Sequence, residues 1–162
     1  MTAEGMQPNP MNEPSRTDLA GRAEIEKLVN AFYKRVRNDD LLGFIFDRVA
    51  HVDWETHLPK MYAFWETVMF RTGGFRGNPL VPHMQLAGLT TMGREQFDRW
   101  LALFQGTVDD LFAGENAEHI KRCAEDMANV IHSRINAAKP GPSHCANLHN
   151  SPSHVESNES RQ

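Results

Sequence analysis

Residues 53–69, DWETHLPKMYAFWETVM, decide how this chain folds. Trp54, His57, Leu58, Met61, Phe64, Trp65, Val68 and Met69 recur mostly at offsets of three and four, the spacing that lines up side chains on one face of an α-helix. Asp53 stands where a helix N-cap belongs, and Pro59, which has no N–H to donate, predicts a kink or an irregular start. Moving outward, the same period returns three times. Ile25, Leu28, Val29, Phe32, Tyr33 and Val36 predict a helix before this one, with Ser15, Thr17 or Asp18 as its candidate cap. Phe97, Trp100, Leu101, Phe104, Val108, Leu111 and Phe112 predict another, closed by Gly114, and Ile120, Ala124, Met127, Ala128, Ile131 and Ile135 a last one, closed near Pro140. No strand-like alternation competes, so the expected class is all-α. A short apolar piece, Leu41 to Phe46, links the first two helices. A longer one, Arg71 to Gly93, is punctuated by Gly and Pro and reads as irregular; connections of that length in a compact domain are usually functional or disordered.

A length of 162 residues with 40% apolar composition fits one domain. The periodic part places it at 18–138. Residues 1–17 and 139–162 are Pro-, Asn- and Ser-rich without periodicity and are expected to be disordered extensions. A net charge of −4 without a basic run argues against nucleic acid as a partner. No apolar run of the ~18 residues a membrane span needs occurs, nor one typical of a signal peptide, so a soluble cytoplasmic protein is expected. Cys123 and Cys145 read as free thiols, and His144, Cys145, His149 and His154 in the tail match no zinc spacing.

Three helices each carry one polar atom on an otherwise apolar face: the Tyr33 hydroxyl, a His57 ring nitrogen and the Trp100 indole N–H. Leaving such groups buried and unpaired costs about 1–3 kcal/mol each. They either satisfy one another as ordinary core residues or surround a small polar ligand. No carboxylate falls on these faces, which disfavours a carboxylate-bridged metal bundle, and there is no phosphate loop or nucleophile elbow. A site of Tyr, His and Trp suits a cofactor that brings its own reactivity. His83, in the long Gly- and Pro-rich segment, could anchor one, since imidazole is the usual protein ligand of haem iron; on spacing alone, a surface-loop histidine is the simpler reading.

The runs AFYKRVRNDDLLGFIF (31–46), DWETHLPKMYAFWETVMF (53–70), FRGNPLVPHMQL (75–86) and FDRWLALFQGTVDDLFAG (97–114) together resemble the truncated haemoglobins. HLPKM at 57–61 with Phe64-Trp65 and the spaced His83 resembles their third group, over about residues 23–136. The resemblance implies a truncated globin, a two-over-two helical sandwich around haem b (iron protoporphyrin IX). It further implies that His83 is the proximal iron ligand, that Tyr33, His57 and Trp100 line the distal pocket, that Phe32, Phe46, Met61 and Phe64 pack against the porphyrin, and that Lys60 meets a propionate. One departure is the segment MQLAGLTTMGREQ, 84–96, longer than the family pattern. The implied function is tight binding of O2 and other small ligands (NO, CO, cyanide), in oxygen binding or transport or in nitric oxide or peroxide detoxification. A dioxygenase or peroxidase-like turnover would need a separate reductase. The competing expectation is a haem-based sensor or a helical protein-interaction module.

Overall fold

The structure, a computed structural model, describes residues 16–138. All regular elements among them are helical: α1 (Arg22–Arg37), a single π-helical turn (Ile45–Val49), α2 (Trp54–Phe70), α3 (Leu80–Ala87), α4 (Arg94–Leu111) and α5 (Glu115–Ala138). The four helices expected from periodicity are α1, α2, α4 and α5. The extension before residue 16 and the tail from 139, with its His144, Cys145, His149 and His154, lie outside the described residues.

The apolar stripe of α1 is buried in full, from Ile25 through Val36. It packs on α2 and on α4, while α4 runs along α5, so an α1/α2 pair meets an α4/α5 pair through α1 and α4. Phe32, Phe104, Val108, Ile120 and Ile135 fill that junction. Asp53 caps α2 as expected, its side chain accepting the Glu55 N–H at 3.1 Å. Helix α2 then runs through Pro59 to Phe70 without a break. The carbonyl that Pro59 leaves without a donor belongs to exposed Glu55 and can turn to water.

Two expectations are corrected. No side chain caps α1, which starts after Gly21. Asp18 caps α5 instead: its carboxylate accepts the N–H groups of Asn116 at 2.9 Å and Ala117 at 2.8 Å. Partial burial works against its charge, but these amides and that of Leu19 hold its pKa below the ordinary value. The Arg71–Gly93 segment is also not irregular throughout, because Leu80–Ala87 form the two-turn helix α3. The signal was Asn78-Pro79. The Asn78 side chain accepts the Leu80 N–H at 3.0 Å, and Pro82 falls in the first turn, where an N–H has no intrahelical acceptor.

Between α1 and α2 the chain is pinned by Asp39, whose side chain is only 4% exposed. It accepts the Leu41 and Leu42 N–H groups, each at 3.1 Å, and the Arg99 Nε–H at 2.6 Å, tying this corner to α4 one residue before Trp100. Burial disfavours its charge, yet Arg99 and the two amides hold the carboxyl below the usual range. Asp39→Ala should lose about 2 kcal/mol by the magnitude of hydrogen bonds to charged groups, read as a lower urea midpoint. Because the folded pKa is depressed, this contribution is complete above the unfolded value and disappears as pH falls through the folded one. The variant should therefore differ from wild type near neutrality and converge with it in strong acid.

Candidate functional site

Residues from α1, α2 and the π-helical turn meet around Tyr33. The Tyr33 side chain is almost fully buried, and its ring lies 5.1 Å from the His57 ring, edge to face, 5.4 Å from Trp54 and 5.9 Å from Phe46. The π-helical turn brings Phe46 there: the extra residue per turn, seen in the Ala50 N–H bond to the Ile45 carbonyl, redirects the chain between the two helices. Trp100 of α4 does not pair with Tyr33 or His57 directly. It connects to Tyr33 through Phe32, which stands 4.9 Å from Tyr33 and 5.3 Å from Trp100 and is itself wholly enclosed. Trp100 also stacks flat on Phe104 at 5.3 Å.

The electrostatics of this cluster keep its titratable groups neutral. Burial alone pushes the Tyr33 phenol up, so it remains a protonated donor. His57 is lowered, first by burial and then by the Coulombic influence of Lys60 and of the His83 ring nearby. The Nε2 of His57 is fully buried and has no hydrogen-bond partner among the described residues. A buried polar atom of this kind is uncommon and costly, and it points to a group that completes the site.

His83 projects from the middle of α3. Its Nδ1 lies 2.6 Å from the Pro79 carbonyl, one turn back, so Nδ1 carries the proton and donates it. The Nε2 lone pair is thereby left available to a metal, in the tautomer that a second-shell carbonyl fixes on metal-bound histidines. Burial lowers the His83 pKa and the Pro79 bond only partly offsets it, which also favours the neutral ligand form.

The surroundings fit a porphyrin. Helices α2 and α3 are rich in apolar residues, yet between them they bury only Trp65. Met61, Phe64, Val68, Leu80 and Met84 are half-covered, a broad apolar surface flanking His57 and His83. Among the described residues no group of three or more His, Cys, Asp or Glu could hold a bare metal ion. One free imidazole instead suits a metal that brings four ligands of its own. Phe64 contacts Trp65 and Phe75, each at 5.1 Å, and Lys60 is exposed one turn from His57.

Sequence reasoning missed two participants. Trp54 reads as one more member of an apolar stripe, and only the fold places it against Tyr33, His57 and Phe46. Phe75 sits among glycines, where a lone aromatic carries no periodic signal. Cys123, half-buried on α5, is a free thiol. No helix among the described residues is long and apolar enough to cross a membrane.

The bacterial-like globin family matches residues 17–133. A group 3 truncated hemoglobin of Campylobacter jejuni is 31% identical over 121 residues, covering 73% of this chain and 93% of that protein. The crystal structure of a group III truncated hemoglobin from Campylobacter jejuni superposes with a TM-score of 0.66 at 28% identity, covering 74% of this chain and 94% of the other. The helix order, the paired layers and these matches agree: the chain belongs to the bacterial-like globins, is similar to group III truncated haemoglobins, has the globin fold and takes haem as its cofactor.

Proposed function

We propose that this globin holds haem b through His83 Nε2 and binds O2 tightly on the side of His57, with NO, CO and cyanide as further ligands. The observation that carries the reading is the His83 Nδ1–H bond to Pro79, which presents a neutral Nε2 beside the half-covered apolar faces of α2 and α3. Haem, when bound, supplies the iron that takes the diatomic ligand and the electron exchanged with it. The chain does the rest. Phe32, Phe46, Met61 and Phe64 surround the macrocycle or back the residues that do, and Lys60 is placed for a propionate while its head stays in water.

The Tyr33 hydroxyl, kept protonated by burial, donates to a ligand that carries partial negative charge, as does the Trp100 indole N–H. His57 Nε2 adds a third polar contact, and the aromatic wall keeps bulk water from competing. Held by so many donors, O2 would leave slowly, which suits chemistry on the bound ligand better than delivery. Oxidation of NO, or reduction of peroxide, is the turnover we assign, in the cytoplasm and with a separate reductase as electron source.

The test is a haem titration of the purified full chain followed by absorption spectra in ferric, dithionite-reduced and CO-bound forms. An intense Soret band that reaches an endpoint at one haem per chain and shifts with CO is expected. A chain that takes up no haem under these conditions would remove the proposal.

A further inference from the structure

On the outer side of Tyr33 lies a cleft of about 440 Å³ between α1 and the start of α2. Asn30, Arg37 and Asp47 stand at its polar walls, Leu58 and Trp54 at its apolar ones, and it reaches Tyr33. Tyr33, only 6% exposed, shows one edge to the cleft, whereas His57 is not part of its lining; the Trp54 indole stands between, touching both rings. We propose that Trp54 is a gate: its ring closes the inner end of a side entrance through which small uncharged ligands reach the Tyr33–His57 pocket from between α1 and α2. This rests on the haem-binding reading above and adds the path and the residue that controls it.

Three features make Trp54 a hinged element rather than a fixed wall. It is the first residue of α2, where the backbone carries the fewest helical hydrogen bonds. On its outer side it is held by two weak tethers, the Arg37 guanidinium 5.0 Å from the ring centre and an indole N–H bond to Asp47 at a long 3.3 Å. On its inner side the ring rests on Phe46, stacked at 6.0 Å, and on the edge of His57 at 5.7 Å, aromatic contacts that hold it without a hydrogen bond. Lys34, Arg37 and Asp47 line the cleft, and a diatomic without net charge has no monopole interaction with any of them, whereas a charged solute would.

The experiment is laser photolysis of the CO complex of the haem-loaded full chain, comparing wild type, Trp54→Ala and Asp47→Ala, with the Trp54 indole resonance of the ¹⁵N-labelled CO complex as a second readout. Wild type should show a large fraction of CO rebinding before escape. Trp54→Ala should raise the bimolecular association rate several-fold and shrink that fraction. Asp47→Ala leaves the aromatic cluster intact; it should speed hydrogen exchange of the Trp54 indole N–H and raise the association rate in the same direction. An intact CO spectrum with association unchanged in Asp47→Ala, despite faster indole exchange, overturns the gate and leaves haem binding standing. A wild-type chain that forms no CO complex overturns haem binding and the gate together.

Discussion

Replacing His83 by Ala should abolish ordinary haem ligation: the Soret band weakens or moves, reduced protein loses its wild-type CO spectrum, and added imidazole restores much of both. The expectation follows from how His83 is built rather than from its presence alone. Its Nδ1 is committed to the Pro79 carbonyl 2.6 Å away, so Nε2 keeps a free lone pair, and the ring is tied to the first turn of α3. Outer-shell partners of this type contribute 10- to 100-fold to metal affinity as a rough scale, and removing the ligand itself exceeds that. Free imidazole fits the space the side chain leaves, which makes rescue the specific signature of a lost ligand. A variant with an unaltered spectrum in all three states would show that iron is held elsewhere, His57 being the obvious alternative.

Tyr33→Phe should release O2 about 10- to 100-fold faster, with the CO rate changed far less. A hydrogen bond to a charged or strongly polarised acceptor contributes roughly 1.5–3 kcal/mol, and each 1.4 kcal/mol is about a factor of ten. The ring itself is retained, so its contacts with Phe32, Phe46, Trp54 and His57 persist and the fold is unchanged. CO carries little negative charge on its outer atom and serves as the internal control. Stopped-flow displacement of O2 by CO measures the rate. Equal dissociation from wild type and variant would take the Tyr33 hydroxyl out of the account and leave Trp100 and His57 as the donors.

Periodicity made the four long helices legible because each buries one continuous stripe, and a stripe is a local property of sequence. The failures share the opposite character. Asp18 looks like a cap for the helix that follows it, but its acceptors are used 98 and 99 residues away, which no local pattern can indicate. Helix α3 was hidden because Gly on both sides and Pro at 79 and 82 suggest loop, although Asn78-Pro79 is itself a starting signal. Of the candidate site, Tyr33 and His57 stand out as polar interruptions on apolar faces, and the structure does bring them together. His83 needed the family resemblance, since a histidine after a proline in a Gly-rich segment has no distinguishing chemistry by spacing. Trp54 could not be told from a core residue at all, because its importance lies in having one covered side and one wet side.

The way Asp18 is used also bears on the order in which the chain can become native. Helix α5 has its first amides satisfied by a residue that precedes α1, so α5 cannot complete its own beginning from local sequence. Closing a loop of that length carries a large entropic cost that only assembled helices can offset. Residues 16–19 therefore act as a late-fitting latch: the Thr17 carbonyl takes the Ala113 N–H, Leu19 seats in the core, and Asp18 locks the turn that Gly114 makes possible. A nascent chain emerging N-terminus first must hold this segment in reserve until α5, the most C-terminal helix among the described residues, has been made.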